Sequence, residues 1–195
     1  RNLNSKIFMN TRYICGVDEV GRGTLAGPVV ASAVILQENH NIKGLNDSKK
    51  LSVKNRERLF TMIIESSISV GIGIIDSQII DKLNIRRATL LAMKNAVLDL
   101  KTKPDVVLVD GLDKIDINIP NENIIKGDSK IDCIMAASII AKVKRDHLMK
   151  EYSNKYPEFG FEKNKGYGTK FHLNALKTNS PSPIHRMTFK PIKKK

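Results

Sequence analysis

Residues 15–23 read CGVDEVGRG, a stretch that joins a predicted strand to a glycine-rich turn. The apolar run 13–17 carries aromatic and β-branched residues, which predicts a buried strand. Asp18 and Glu19 follow that run, and a glycine lies on each side of Arg22. Glycine permits a sharp turn or a close approach of another group to the backbone. Acidic side chains beside such a backbone predict a site for a metal ion and a phosphate group, with a solvated turn as the simpler alternative.

The chain is strongly basic for its length. Its 195 residues include 33 Lys and Arg against 20 Asp and Glu, which gives a formal net charge of +13 at pH 7. This balance favours a polyanionic partner, nucleic acid above all, although a lysine-rich proteome would produce the same balance. The length fits a single domain.

The absence of targeting segments and the use of cysteine predict a cytoplasmic protein without a membrane partner. No apolar run reaches the roughly 18 residues of a transmembrane helix. Residues 1–10 lack the apolar segment of a secretory signal. Cys15 and Cys133 are too few and too far apart in the sequence for a disulfide framework or a cysteine-based metal site. Free thiols in a reducing compartment are the simplest interpretation.

Composition divides the chain into three predicted parts. Residues 1–12 are an N-terminal extension, in which Met9 is a candidate natural start and residues 1–8 an addition before it. Residues 13–156 form the main domain. Residues 157–195, where glycine, aromatic residues and proline accumulate, form a small helical C-terminal segment.

Hydrophobic periodicity predicts the order of strands and helices. Five strands are predicted over 13–17, 29–36, 68–75, 106–109 and 124–125. Helices are predicted over 52–65, from 76 or 77, over 84–100, over 131–143 and over 170–177. This order is typical of an α/β fold with a mixed sheet flanked by helices. Ligands collect at the carboxyl ends of parallel strands, so Asp18, Glu19 and Asp110 should meet if the first and fourth strands are parallel neighbours.

The predicted helix 131–143 is apolar on nearly every side and should therefore be buried. Ser129 and Asp132 have capping-box spacing in front of it. We expect this helix to end in the charged residues 142–146. Asp128, just before Ser129, is a further candidate cap of the same helix.

Acidic residues gathered at strand ends predict a particular chemistry. Several carboxylates forced together raise each other's pKa unless cations intervene. Oxygen ligands select hard divalent ions such as Mg²⁺ or Mn²⁺. Two such ions can activate a water molecule and stabilise the leaving oxygen of a phosphodiester, so that no serine or histidine nucleophile is required. None of the 4 histidines stands in a convincing Ser/His/Asp arrangement, which fits this hypothesis.

Ordered motifs along almost the whole chain resemble those of type 2 ribonucleases H, specifically the bacterial ribonuclease HII family. The matching segments are 16–23 with 26–31, 47–51, 88–93, 109–111, 126–129, 136–143 with 145–146, 165–169 and 185–186. The resemblance implies a ribonuclease-H-like fold and an endoribonuclease that cuts RNA in RNA–DNA hybrids. It also implies cleavage on the 5′ side of single ribonucleotides embedded in duplex DNA, leaving 3′-hydroxyl and 5′-phosphate ends. Those nucleic acids would be its partners, and we expect a monomer.

The resemblance also implies roles for individual residues. The residues that match the family's acidic ligands, for two Mg²⁺ or Mn²⁺ ions in the substrate complex, are Asp18, Glu19, Asp110 and Asp128. The residues that match its substrate contacts are Gly21, Arg22 and Gly23, whose backbone would meet the 2′-hydroxyl group, and Tyr167, which would sense the substrate. We add Lys49 and Thr169 as expected phosphate contacts.

Several of these assignments have alternatives. Asp132 lies one helical turn beyond Asp128 and is its rival as a ligand, with the capping box as its other role. Glu19 would point away from Asp18 in a regular strand, so we expect the strand to break there.

For two further pairs of residues, the sequence leaves a structural role and a functional role both open. Arg145 and Asp146 form a structural pair or tune the site. His185 and Arg186 pack the C-terminal segment or bind substrate. For the protein as a whole, the alternatives are a ribonuclease HIII-type relative and a catalytically inactive module that binds hybrids.

Overall fold

Five strands form one mixed sheet in the computed structural model, which describes residues 12–192. They are β1 (Ile14–Val20), β2 (Val29–Leu36), β3 (Ser67–Ile75), β4 (Val106–Asp110) and β5 (Asn121–Ile124). Their order across the sheet is β3-β2-β1-β4-β5. β2 runs antiparallel to β1 and β3, whereas β4 runs parallel to β1 and β5. The predicted mixed five-stranded sheet is confirmed.

Helices cover both faces of this sheet. They are α1 (Val53–Ser66), α2 (Ser77–Leu83), α3 (Ile85–Leu98), α4 (Asp132–Lys155), α5 (Phe161–Asn164) and α6 (Lys170–Thr178). On one face, α2 and α3 pack against the sheet through a core that includes Val17, Ile80 and Ala92. On the other face, α1 and α4 pack through a core that includes Leu59 and Ile140. The result is the expected α/β layer arrangement.

Glycine at position 16 lets the start of α4 lie directly against β1. A Cβ atom at Gly16 would lie 2.2 Å from the carbonyl carbon of Cys133, a separation that no side chain tolerates. The first turn of α4 therefore sits beside the strand that carries Asp18. Cys15 and Cys133, on these two elements, are free and buried, as expected for structural thiols.

The pairing of β1 with β4 places acidic residues at one edge of the sheet. Val17 pairs with Val109 in a parallel register, so Asp18 and Asp110 follow on adjacent strands. Asp110 pairs in turn with Ile124 of the parallel strand β5. The expected parallel pairing of the first and fourth strands is confirmed.

The start of α4 differs from the prediction. The predicted capping box is wrong, because Ile131 occupies the N-cap without a side-chain hydrogen bond and Asp132 is the first helical residue. Ser129 lies instead in the 3₁₀ turn Gly127–Ser129 and donates its hydroxyl to the carbonyl of Lys126 at 3.0 Å. A local side-chain bond has replaced the helix cap here.

α4 is also longer than predicted. It ends at Lys155, whereas the sequence pattern placed its end within the charged residues 142–146. Arg145 and Met149 are wholly buried. The helix continues because its second half packs against residues 157–192, a surface that local sequence does not reveal.

Two strand boundaries differ from the prediction as well. β1 does not break at Glu19, which pairs with Ala31 of β2 in a regular antiparallel register. The fifth strand covers Asn121–Ile124 rather than residues 124–125. Ile125 lies outside the sheet and is exposed.

Residues 157–192 fold back onto the rest of the molecule. Phe159 is wholly buried in a cluster with Met149 and Ala26. An isolated β-bridge pairs Ala26 with His185. The C-terminal segment thus covers the second half of α4 and the loop that follows β1.

None of the helices in the described part of the chain combines the length and hydropathy that a bilayer crossing requires. The predicted extension 1–12, with its candidate start at Met9, falls outside the described residues except for Arg12.

Candidate metal centre

Three carboxylates from separate parts of the chain meet at the carboxyl edge of the sheet. Asp18 lies near the end of β1, Asp110 ends β4 and Asp128 lies on the 3₁₀ turn that follows β5. One oxygen from each lies within 4.8 Å of the others. Asp18 is buried, whereas Asp110 and Asp128 are half-buried. Such a set of oxygen atoms matches the ligands that Mg²⁺ and Mn²⁺ prefer.

Asp18 occupies the most buried position of the three. Burial raises the pKa of its carboxyl group, and the negative charges of Glu19 and Asp110 raise that pKa further. The hydroxyl of Ser138 and the backbone N–H of Glu19 act against this shift, and the N–H donates to Oδ1 at 2.8 Å. The fold therefore holds like charges together at a cost, which a bound cation would offset.

Asp110 fixes the turn that carries Asp128. Its Oδ1 accepts a hydrogen bond from the backbone N–H of Gly127 at 2.7 Å. A Cβ atom at Gly127 would lie 2.5 Å from Cδ1 of Ile134, so this turn fits closely against α4. The position of Asp128 is thus set by backbone packing and by the neighbouring carboxylate.

Asp128, and not its rival Asp132, contributes to the cluster. Burial raises the pKa of Asp128, as do the charges of Asp110 and Asp47, while Lys49 and Lys50 lower it. Asp132 begins α4 with a mostly exposed side chain, and its Oδ2 lies 3.4 Å from Nε2 of His40.

Glu19 lies beside the cluster and is paired with Arg22. Its Oε1 lies 3.3 Å from Nη1 of Arg22, and its side chain is only 13% exposed. Burial raises the pKa of Glu19, the Arg22 guanidinium lowers it, and the charge of Asp110 raises it again. Glu19 is therefore close enough to sense the cluster, although it is not one of the three residues whose oxygens meet.

The loop 47–51 places the ammonium group of Lys49 near the acidic residues. Burial lowers the pKa of the Lys49 ammonium, but the charges of Asp47 and Asp18 raise it, and the net direction is upward. The loop is held by the buried hydroxyl of Ser48, which lies 2.9 Å from the hydroxyl of Ser138. Sequence reasoning missed Ser138, although a hydroxyl on the buried face of an otherwise apolar helix is the signal that could have found it.

The glycine–arginine turn lies at the end of β1. Gly21 has a φ of +93°, and a Cβ atom there would lie 2.3 Å from Nε of Arg145, so glycine is required. At Gly23 a Cβ atom would meet nothing within 4 Å, which leaves the backbone open to approach. The side chain of Arg22 is half exposed.

Tyr167 lies on a loop that is bonded to the segment that follows this turn. It is 44% exposed, and its loop is joined to the segment after the turn by a hydrogen bond from the N–H of Leu25 to the carbonyl of Gly166 at 2.8 Å. Thr169 accepts a bond from the N–H of His172 at 3.4 Å and so caps α6.

The structure decides in part between packing and function for the two remaining pairs. Asp146 pairs with Lys142 at 2.6 Å and with Arg56 at 3.9 Å. Within residues 12–192 no ion pair joins Arg145 to Asp146, so the structural pair, one of the two alternatives, is not formed. His185 and Arg186 are buried, which places them in the packing of the C-terminal segment.

Known proteins are similar to this chain over most of its length. The family model described as Ribonuclease HII matches residues 15–192. A curated Ribonuclease HII from Enterococcus faecalis is 54% identical over 182 residues, which are 93% of this chain and 71% of that protein. The crystal structure of ribonuclease H2 from Pyrococcus horikoshii superposes with a TM-score of 0.79 and 27% identity, over 92% of this chain and 95% of that one. The structure of Bst-RNase HIII in complex with Mn²⁺ has a TM-score of 0.70 and 19% identity, over 93% and 68%, and shares the fold.

Proposed function

The chain belongs to the ribonuclease HII family of metal-dependent endoribonucleases, and we propose that its carboxylate cluster is the active site of such an enzyme. The substrate would be the RNA strand of an RNA–DNA hybrid, or a single ribonucleotide embedded in duplex DNA, cut on its 5′ side. The products would carry 3′-hydroxyl and 5′-phosphate ends. One observation supports this proposal above the others: oxygens of Asp18, Asp110 and Asp128 lie within 4.8 Å of one another at the edge of the sheet.

The donor set fits two divalent cations, Mg²⁺ or Mn²⁺. Asp18, Asp110 and Asp128 would hold them, with Glu19 as the fourth ligand once Arg22 releases it. The raised pKa of Asp18, caused by burial and by the charges of its neighbours, is the signature of a site built for positive charge. Bound there, the ions would acidify a water molecule and neutralise charge on the phosphodiester. The Mn²⁺ held by the related Bst-RNase HIII supports this choice of metal.

The residues around the cluster keep the carboxylates in position. Ser138 and the N–H of Glu19 orient Asp18, while Asp110 ties down the turn that carries Asp128. The negative charge of Asp18 raises the pKa of Lys49, which therefore lies near the cluster. Lys49 is proposed to contact a substrate phosphate.

Specificity would come from the sugar of the ribonucleotide. The 2′-hydroxyl group is the atom that separates RNA from DNA. The open backbone at Gly23 can approach it, and the exposed ring of Tyr167 lies on a loop joined to the segment after the same turn. Gly21 and Arg22 complete this surface, and Thr169 is proposed as a phosphate contact at the start of α6.

The charge of the chain is consistent with nucleic acid as its partner. At a net charge of +13, phosphate contacts should dominate affinity and make binding salt-dependent. We propose a monomer in the cytoplasm, with residues 13–156 as the catalytic domain and residues 157–195 as the substrate-contacting segment.

A cleavage assay tests the proposal. A labelled duplex with one ribonucleotide, and a separate RNA–DNA hybrid, are incubated with the protein with and without Mg²⁺ or Mn²⁺. The expected result is divalent-dependent cutting of both. Tight binding of these duplexes without cutting under either ion would favour the inactive hybrid-binding module instead.

A further inference from the structure

Two arginines lie wholly buried beneath the glycine–arginine turn. Arg145, in α4, and Arg186, near the C-terminus, are each 0% exposed. Among the described residues neither forms an ion pair with a carboxylate. Asp146, the neighbour of Arg145 in the sequence, pairs instead with Lys142 and Arg56. A buried charge without a counter-ion is costly unless its donors are all satisfied. Burial lowers the pKa of Arg145 to about 10 and that of Arg186 to about 9, which reflects this cost.

The donors of Arg186 all bond to backbone carbonyls of the turn. Nη2 donates to the carbonyl of Gly21 at 2.6 Å, and Nη1 donates to that of Arg22 at 2.8 Å. Nε and Nη2 both donate to the carbonyl of Gly27, at 3.1 and 3.0 Å. One planar guanidinium therefore fixes both ends of the segment 21–27.

Arg145 holds the same segment from the side of α4. Its Nη2 donates to the hydroxyl of Thr24 at 2.9 Å and to the carbonyl of Ala26 at 3.1 Å. Its Nε donates to the carbonyl of Pro28 at 2.9 Å. Its Nη1 donates to the carbonyl of Lys165 at 2.8 Å, two residues before Tyr167 in the sequence.

This arrangement decides where the amides of the turn point. In a planar trans peptide the C=O of one residue and the N–H of the next point in opposite directions. Because the carbonyls of Gly21 and Arg22 point inward at Arg186, the N–H groups of Arg22 and Gly23 point outward. Within the described part of the chain, neither of these two amides donates a hydrogen bond. The turn thus presents two outward donors next to the open space at Gly23.

We propose that Arg145 and Arg186 are positioning residues for ribose recognition, because they aim the amides of the turn and set its distance from the Tyr167 loop. This inference rests on the proposed function, which assigns the turn to the 2′-hydroxyl group. It predicts that weakening either arginine reduces the preference for a ribonucleotide over a deoxyribonucleotide, beyond any general loss of activity.

Two test variants and two control variants examine it. Arg186→Lys keeps the charge but loses the planar fork of donors. Thr24→Val keeps the shape of a buried side chain and removes both an acceptor of Arg145 and the hydroxyl's own bond to the carbonyl of Gly21 at 3.1 Å. Thr24→Ser keeps the hydroxyl and is its matched control. Ile63→Ala, in α1 and in a core cluster that contains no residue of the turn, controls for lost stability alone. Thermal unfolding confirms that each variant is folded at the assay temperature.

The readout compares two constants: kcat/KM for a duplex with one ribonucleotide, and the inhibition constant of the same duplex made wholly of DNA. For Arg186→Lys we expect kcat/KM on the ribonucleotide to fall by about tenfold or more, as for the loss of a charged hydrogen bond. We expect the DNA inhibition constant to stay unchanged. Thr24→Val should change in the same direction by less, and Thr24→Ser and Ile63→Ala should keep the wild-type ratio.

The two proposals fail in distinguishable ways. If the wild-type protein cuts neither substrate, the proposed function is wrong. If the wild type cuts but Arg186→Lys and Thr24→Val keep the wild-type ratio between the two constants, the arginines are merely structural and this inference is overturned. Should Arg186→Lys not fold, the comparison of Thr24→Val with Thr24→Ser decides.

Discussion

Oδ1 of Asp110 accepts a hydrogen bond from the backbone N–H of Gly127, with 2.7 Å between the two atoms. The bond joins the end of β4 to the turn that carries Asp128. Asp110 therefore has two separable tasks: its charge contributes to the proposed metal site, and its oxygen holds the turn in place. Substitutions can separate the two.

Asp110→Asn should keep the fold and abolish cleavage. The amide retains an oxygen that can accept from Gly127, but it has lost the negative charge that would hold a cation. Asp110→Ala should also abolish cleavage and should in addition lower the unfolding free energy by about 1–3 kcal/mol relative to Asp110→Asn, because a buried N–H loses its acceptor. Urea unfolding and Mn²⁺ titration calorimetry check both effects. Loss of cooperative unfolding in Asp110→Asn would instead make Asp110 a structural residue.

Asp18→Asn should stabilise the metal-free protein near neutral pH. Burial and the charges of Glu19 and Asp110 raise the folded-state pKa of Asp18 above the ordinary value of 3.8. The folded state then binds more protons than the unfolded state above pH 3.8, so stability falls as the pH rises towards the folded pKa. Removing the charge relieves this penalty. Denaturant unfolding should show a higher midpoint for the variant without metal, and added Mg²⁺ should stabilise only the wild type; a lower midpoint would contradict this account.

The histidine pair beneath the C-terminal segment should show the opposite dependence on pH. Nδ1 of His172 must donate to the carbonyl of Tyr167 at 2.9 Å, so its Nε2 accepts from Nε2 of His185, also at 2.9 Å. Nδ1 of His185 then accepts from the N–H and hydroxyl of Ser182. Both rings are therefore neutral, and a further proton on the pair would break the contact between the two Nε2 atoms.

Burial and the neighbouring His172 lower the pKa of His185 to about 4, from an ordinary 6.5. The unfolded state takes up the proton first as the pH falls, so this contribution to stability is lost between about pH 6.5 and pH 4. We expect the unfolding midpoint to decline over that range. His185→Gln should flatten the decline, whereas His147→Gln, at an exposed position, should keep it. An equal decline in all three proteins would show that the pair is not responsible.

Lys49→Ala should weaken binding of every duplex to a similar degree. A phosphate contact carries no sequence information, and its loss should reduce the slope of log affinity against log salt by about 0.7–0.9. Lys101, whose backbone N–H donates to Ser69 at the opposite edge of the sheet, provides the control variant Lys101→Ala. Fluorescence anisotropy at several salt concentrations measures the slope. The same slope in both variants would remove Lys49 from the interface.

Patterns that act over a few residues predicted much of the fold. The alternation and length of the apolar runs indicated β1 to β4, and Ser52 does cap α1, accepting from the N–H of Asn55. The rule that ligands collect where parallel strands end predicted that Asp18 and Asp110 lie together if their strands are parallel neighbours, which they are. These features depend on local periodicity and on one topological rule, and they can therefore be predicted from the sequence.

Features that depend on distant partners were not predicted. Arg145 was interpreted as part of a charged helix end, because nothing nearby in the sequence shows that two arginines donate eight hydrogen bonds to the glycine–arginine turn and its neighbours. Ser129 had the spacing of a cap, yet its hydroxyl bonds to the carbonyl of Lys126 instead. Glu19 was expected to leave the strand, but its pairing with β2 keeps it there.

We propose that Asp18, Asp110 and Asp128 together hold divalent cations. The most direct measurement is the anomalous difference density of a crystal soaked in Mn²⁺. We expect Mn²⁺ bound by oxygens of all three carboxylates, at the edge where β1 and β4 end. Mn²⁺ density elsewhere on the protein, with none between Asp18 and Asp110, would contradict it.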